Sequence, residues 1–364
     1  MKIQEVRKRN KKDDKDNISE FPDHVLLHIM SLMDTKSAVR TCVLSKRWKD
    51  LCKRLTNLTF SSSIGSCKHS MIQFLSWILS IRDHSYSLLN LSIDNHKAYI
   101  KPEVIDCVVK YALFHNVQQL KLVSCTETEP NLEPLTSIFC SQSLKSLELA
   151  IILDTLGLIF PKSLHMHALK SLNLSYVRFT TGENGDVEPF SNCHVLNTLV
   201  LRHCSFYNDQ QILCISNPAL SSLTIYEGKA YQISLATPNL NSFTLKGSIS
   251  HQLFSTCNLS FLREVNIFIY GDGSSWNGKS SIIIKWLQVL ANVKILTFTL
   301  RAFRVILQDL SNPSSTQPPC FVRLESLKVK KQLFTSMPDE DVNKVVEYLL
   351  QNTPMAKVDV ITNA

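Results

Sequence analysis

From Leu88 onward the chain repeats one short hydrophobic pattern. A leucine, any residue, a serine or threonine and then an apolar–x–apolar pair recur as Leu144-Lys-Ser-Leu-Glu-Leu149, Leu169-Lys-Ser-Leu-Asn-Leu174, Leu196-Asn-Thr-Leu-Val-Leu201, Leu220-Ser-Ser-Leu-Thr-Ile225, Leu240-Asn-Ser-Phe-Thr-Leu245 and Leu324-Glu-Ser-Leu-Lys-Val329. Looser copies start at Leu88, Val117, Leu262 and Val293, so successive starts fall 20–31 residues apart. Inside each copy the apolar positions alternate with the two-residue period of a strand. One such unit cannot bury its apolar side alone. A stack of about ten can, which predicts a solenoid with a curved parallel sheet.

Upstream of Leu88 the period is helical. Phe21, Val25, Leu26, Ile29 and Leu32 recur at three- and four-residue steps, with Pro22 in the first turn, where its missing N–H costs nothing. Asp34 offers a stop and Thr35 an N-cap for a short helix carrying Ala38, Val39 and Cys42. Ser45 caps a third helix with Trp48 and Leu51 on one side. Met71, Phe74, Leu75, Ile78 and Leu79 mark a connecting helix, and Val342, Val345, Val346, Leu349 and Leu350 another, whose first turn is acidic as the helix dipole favours. Met355 to Ile361 reads as a closing strand, so that helix and strand together seal the far end.

The resulting fold class is α/β: three N-terminal helices, then a solenoid with a curved parallel sheet and irregular helices on its convex side. Five stretches follow: a polar tail over 1–16, the helical module over 17–62, a helical connector over 63–86, repeats over 87–330 and a cap over 331–364. On the concave face the repeat places mostly Ser, Thr and Asn. Its charged positions are Lys121, Glu148, Glu264 and Lys328, so the face reads as nearly neutral. That suits protein or peptide recognition better than a polyphosphate.

Composition narrows the class. The 364 residues are 44% hydrophobic and 19% charged, a globular profile, with a net charge of +8. Residues 1–16 hold seven Lys/Arg against four Asp/Glu, so +3 sits in the tail and +5 is spread over the rest. This argues against a nucleic-acid-binding core. The cluster Val6-Arg-Lys-Arg-Asn-Lys-Lys12 is a candidate nuclear import signal or a solubilising arm. The eleven cysteines include no Cys-x-x-Cys pair, which argues against a zinc finger or a disulfide framework. No apolar run reaches the ~20 residues of a membrane span, and Met1 to Glu20 lacks a secretory core, so the expected location is nucleus and/or cytoplasm. Asn-x-Ser/Thr sequons such as Asn90 and Asn173 should then stay unglycosylated.

Phe21-Pro-Asp-His-Val-Leu-Leu-His-Ile-Met-Ser-Leu32 followed by Thr35-Lys-Ser-Ala-Val-Arg-Thr-Cys-Val-Leu-Ser-Lys-Arg-Trp-Lys-Asp-Leu51 resembles an F-box of the plant type. Phe21, Asp34 and Ser37 depart from its usual Leu, Pro and acidic residue. The repeated unit resembles the leucine-rich repeat, and the C-terminal stretch that of plant F-box/leucine-rich-repeat proteins, including the FBD type. The resemblance implies a non-catalytic adaptor, without cofactor or metal, that docks on a Skp-family protein and through it on a cullin–RING ubiquitin ligase. Pro22, Val25, Leu26, Ile29, Leu44 and Trp48 are the candidates for the Skp contact, some of them serving the helical core instead. Glu148, Asn173, Thr224 and Glu264 on the concave face are the candidates for holding a protein substrate. Two other readings use the same residues: a leucine-rich-repeat scaffold outside any ligase, and a DNA-reading helix carrying Lys46, Arg47 and Lys49. The latter lacks a broad basic footprint.

One motif points elsewhere. Gly273-Ser-Ser-Trp-Asn-Gly278-Lys279-Ser280 fits the phosphate-loop spacing, between an apolar strand and a helix. A nucleotide enzyme also needs an acidic Mg²⁺ partner on an adjacent strand. The only apolar run ending in Asp is Ala150–Asp154, four repeats upstream, and solenoid repeats meet only their neighbours. Nucleotide binding is rejected on that ground, and no other catalytic constellation occurs.

Overall fold

The computed structural model describes residues 18, 20–61, 68–126, 132–153, 157–180, 186–206, 212–226, 231–247, 252–270, 280–310, 317–331, 336–353 and 355–362. The 1–16 tail and Gly273–Lys279 lie outside them. Twelve strands form one sheet in chain order, each parallel to the next. They are β1 (Asn57–Ser61), β2 (Asn90–Tyr99), β3 (Gln119–Thr126), β4 (Ser146–Leu153), β5 (Ser171–Ser175), β6 (Thr198–Arg202), β7 (Ser222–Tyr226), β8 (Ser242–Gly247), β9 (Glu264–Ile269), β10 (Ile295–Thr299), β11 (Ser326–Lys331) and β12 (Lys357–Thr362). Strands β2 to β11 each begin two residues after a repeat start read from the sequence. The alternation dictates what the sheet buries. Leu147, Leu172, Leu199, Leu223, Phe243 and Val265 stand side by side in register, all buried. Each contributes about 1.5–3 kcal/mol relative to exposure.

Two strands go beyond the ten repeats. Leu55-Thr-Asn-Leu-Thr-Phe60 is a further copy, and β1 pairs with β2 from Asn57↔Asn90 to Ser61↔Asp94. It falls inside the 17–62 stretch, so helical module and solenoid share a sheet instead of meeting at a linker. At the other end β12 pairs with β11, yet Val358 and Val360, at core positions, stand exposed. The expected seal is thus incomplete among the described residues.

The return segments follow the repeat length in part. Helices fill the returns where starts lie 29 or 31 residues apart, one of the two 27-residue returns and the segment after the last start: α5 (Pro102–Phe114), α6 (Leu132–Ile138), α7 (Ser280–Val289), α8 (Leu300–Leu310) and α9 (Asp339–Leu350). The F-box-like helices are α1 (Asp23–Ser31), α2 (Thr35–Arg40) and α3 (Lys46–Lys53), and the connector is α4 (Lys68–Ile81). In the middle, where spacings shorten, the expected convex helices are replaced by strands. Leu158–Phe160, Val177–Phe179 and Ser205–Phe206 make a three-stranded sheet. Asp186–Val187, Ile212–Ser216, Gln232–Ala236 and Gln252–Ser255 make a four-stranded one. An aromatic ladder runs between the layers: Phe139–Phe160 at 4.9 Å, Phe160–Phe179 at 5.6 Å, Phe179–Phe206 at 5.5 Å and Phe206–Tyr231 at 5.3 Å.

Cys204 sits where the repeat accepts Asn or Cys. Burial pushes its thiol up to about 12, although backbone hydrogen bonds act the other way. A thiol reagent at pH 8 should therefore label exposed Cys107, Cys140 and Cys320 and leave Cys204 untouched until the protein is denatured. Peptide mapping of the labelled protein reads this directly, and early labelling of Cys204 would contradict its burial. Asn217 fills an equivalent role, its amide donating to the carbonyls of Phe190 at 3.0 Å and Cys193 at 2.9 Å.

Candidate functional site

Local chemistry fixes the helical end onto the sheet. Asp34, where the F-box usually has proline, is the N-cap of α2: its carboxylate accepts from the Ser37 amide at 2.9 Å and hydroxyl at 2.7 Å, which holds its pKa low. The expected cap, Thr35, is the first helical residue and is buried. Its hydroxyl instead accepts from the Thr59 amide of β1 at 2.7 Å. Ser45 caps α3 through the Trp48 amide, as the sequence predicts. Arg47 clasps α1 from α3, donating to Asp23 at 2.7 Å and to the Phe21 carbonyl at 2.5 Å. A residue that could have read DNA is thereby spent on holding two helices together. Cys42 and Cys52, expected to be free, are joined as a disulfide between the turn after α2 and α3.

Further bonds join this end to the solenoid. The Asp83 amide donates to the Lys53 carbonyl at 2.8 Å, and that of Leu89 to Thr56 at 2.8 Å. Arg82, almost wholly buried, donates to the carbonyls of Leu55, at 3.1 Å, and Tyr86. Hydrogen bonds from a charged group contribute about 1.5–3 kcal/mol each. Arg82→Ala should lower the melting temperature by about 5 °C or more in calorimetry; an unchanged transition would show that the junction does not depend on it.

The six residues expected to meet a Skp-family adaptor divide. Leu26 and Trp48 point inward and are buried, because the stripe at three- and four-residue steps is what packs α1 and α3 together. Neither has surface to offer. Val25 is half-buried, and Pro22, Ile29 and Leu44 are exposed. The reading from sequence missed the most exposed apolar side chains of this helical end, Leu32 at 76% and Val43 at 87%; Leu44 at 63%, Met33 and Phe21 are exposed there too. Their signal lay in the pattern: they sit just past the helix ends, where no core needs them.

The inner face has three rows, not two. The first runs Ser146, Ser171, Thr198, Ser222, Ser242 and Glu264, and the second Glu148, Asn173, Val200, Thr224, Thr244 and Asn266. All four expected substrate residues lie on this face, though in different rows. Glu148 pairs with Lys121 at 3.5 Å, Asn173 accepts from Arg202 at 3.3 Å, and Glu264 accepts from Asn266 at 3.0 Å. Burial works against the Lys121 ammonium, but its hydrogen bond to Asp94 and the charge of Glu148 raise its pKa.

The third row lies one pleat further on, beyond the hexapeptide pattern. There stand Ser175 and its register partner Arg202, then Tyr226, Lys246, Phe268, Thr299 and Lys330. The Arg202 guanidinium lies 3.8 Å from the Tyr226 ring centre, with Lys246 5.2 Å away from the same ring. Lys246 and Lys330 flank Phe268 at 5.8 and 5.0 Å. Burial would push the Tyr226 phenol up, yet hydrogen bonding to Arg202 and Lys246 pulls it below its usual value. The face is therefore not uniformly neutral, and from β6 onward it is cationic.

Among the described residues no group of three or more His, Cys, Asp or Glu could hold a metal ion, and no helix is long and apolar enough to cross a membrane. What the geometry defines is a small helical unit built into one end of a leucine-rich-repeat sheet. Residues 18–60 match the F-box domain family. The chain is 32% identical over 271 residues to the FBD-associated F-box protein At4g10400 of Arabidopsis thaliana, covering 69% of this chain and 61% of that protein. It is 29% identical over 264 residues to the F-box/LRR-repeat protein At3g58980 of the same plant, covering 69% and 43%. To the F-box/LRR-repeat protein At5g02910, also from Arabidopsis thaliana, it is 26% identical over 350 residues, covering 94% and 71%. The chain thus spans about three fifths or less of the first and second of these. Residues 18–60 carry an F-box domain, and the chain is similar to plant F-box/leucine-rich-repeat proteins.

Proposed function

We propose that this protein is the substrate-recognition subunit of a Skp–cullin–F-box ubiquitin ligase. The F-box end docks on a Skp-family adaptor, and through it on a cullin–RING ligase. The inner face of the repeats holds a protein substrate. The observation that carries the reading is that Leu32, Val43 and Leu44 are each left exposed on a folded F-box domain whose own core is already filled. No catalytic residue or cofactor of its own enters this chemistry. Tethering alone raises the substrate's effective concentration at the ligase to about the millimolar range. Its place of action is the nucleus and/or cytoplasm, which a fluorescent fusion would report.

Affinity purification of the tagged chain followed by mass spectrometry tests the whole reading. Recovery of a Skp-family adaptor together with a cullin supports it. Recovery of other partners without either supports a scaffold outside any ligase instead.

A further inference from the structure

The cations of the third row are fixed in place without being neutralised. Arg202, Lys246 and Lys330 are half-buried and lie against the faces of Tyr226 and Phe268, which attract a cation but carry no charge. No ion pair to any of the three occurs among the described residues. The acids on the flanking rows are engaged elsewhere: Glu264 accepts from Asn266, and Asp359 pairs with Lys357 at 3.1 Å. Earlier in the arc the opposite holds, where Asp94 and Glu148 both meet Lys121. On the inner face of the sheet, among the described residues, positive charge without an acid partner is thus confined to β6 through β11.

Spacing says what could use it. Neighbouring strands lie about 4.8 Å apart, so Arg202 and Lys246 are about 10 Å apart and Lys246 and Lys330 about 14 Å. No single small anion bridges such distances. An extended peptide crossing the strands advances about 3.3 Å per residue and turns alternate side chains to the sheet, so side chains four apart, about 13 Å, share a face and come within reach of successive cations. The Ser, Thr and Asn of the adjoining rows can hydrogen-bond to its backbone.

We propose that this stripe is the seat of an extended acidic segment of the substrate, whose carboxylates at about i, i+4 and i+8 meet Arg202, Lys246 and Lys330. The proposal rests on the reading of the repeats as the substrate-holding part, and it names the chemistry that part selects. Tyr226 and Phe268 set the geometry by fixing the cations before the ligand arrives, which lowers the ordering cost of binding.

The probe is a fluorescein-labelled peptide of about twelve residues in a Gly-Ser-Thr background, with Glu at that spacing, titrated by anisotropy against the full chain. The comparison peptide carries Gln at the same places. The Glu peptide should bind at least about tenfold tighter, with an advantage that shrinks as salt rises. Arg202→Glu/Lys246→Glu should erase the difference, and Arg202→Gln/Lys246→Gln should reduce it should the reversal harm folding. Lys285→Glu on α7 should leave it unchanged. Equal affinity for the two peptides, equal affinity in the variants, or tighter binding of a single-stranded oligonucleotide of similar length overturns the proposal. Pull-down of a Skp-family adaptor by the same proteins separates the two levels: adaptor bound with no acidic preference refutes the stripe alone, whereas loss of the adaptor from the unmodified chain refutes the ligase reading.

Discussion

Leu32→Asp combined with Val43→Asp is expected to abolish recovery of a Skp-family adaptor while leaving the melting temperature where it was. Both side chains are mostly in solvent, so a carboxylate at either site costs the folded chain little. Buried against a partner, each would contribute about 1.5–3 kcal/mol, and two together about two to four orders of magnitude in affinity. Desolvating an unpaired carboxylate adds to the loss. Leu26→Ala is the instructive contrast. Leu26 is fully buried, so its truncation should cost about 2–5 kcal/mol of stability and lower adaptor recovery only by unfolding the helices. Calorimetry beside the pull-down distinguishes them. Full adaptor binding by the double Asp variant would move the contact off this end of the F-box.

Cutting the chain after residue 62 should leave a fragment that neither folds nor binds. Such a fragment keeps β1 but loses β2, its only partner in the sheet, and α4, whose Phe74 covers Phe60 at 5.8 Å. Leu55, Leu58 and Phe60, all buried in the full chain, would be opened to water. At about 1.5–3 kcal/mol each, their loss is comparable to the whole stability of a small domain, about 5–15 kcal/mol. Extending the fragment through β3 restores the neighbours and should restore a cooperative transition by circular dichroism. A 1–62 fragment that melts cooperatively and pulls down the adaptor like the full chain would mean that the shared sheet is dispensable.

The sequence conveyed the middle of the molecule best, and the reason is physical. A serine or threonine inside an apolar alternation is informative because one side must pack and the other must stay wet. Both demands recur at every strand from Asn90 to Lys331. The ends were harder to read. Leu55 starts a repeat two residues after α3 ends, inside the 17–62 stretch assigned to the helical module, where a single copy carries no repeat signal of its own. The third row of the inner face escaped because the hexapeptide pattern stops one pleat short of it. The face was therefore judged by Lys121, Glu148, Glu264 and Lys328, without Arg202, Lys246 and Lys330. On α1, periodicity marked Leu26 correctly as apolar and facing its stripe-mates. Period alone does not say whether a stripe meets the chain's own core or a partner, so exposed Leu32 and buried Leu26 looked alike. The strands on the outer layer, such as Ile212–Ser216, are not legible even from the repeat lengths, since of the two 27-residue repeats the one from Val117 returns by a helix and the one from Leu169 by strands.

Because β1 belongs both to the docking end and to the reading surface, the molecule behaves as a ruler. Arg202 lies five strands from β1 and Lys330 ten, about 24 and 48 Å along the arc. Among the described residues the sheet is paired without a break from β1 to β11, so on the proposed function a segment seated on the stripe would be carried at a set distance from whatever grips α1 and α3. Modification would then favour lysines that lie a particular span from that segment, and a substrate with its lysines elsewhere could be held firmly yet left unmarked.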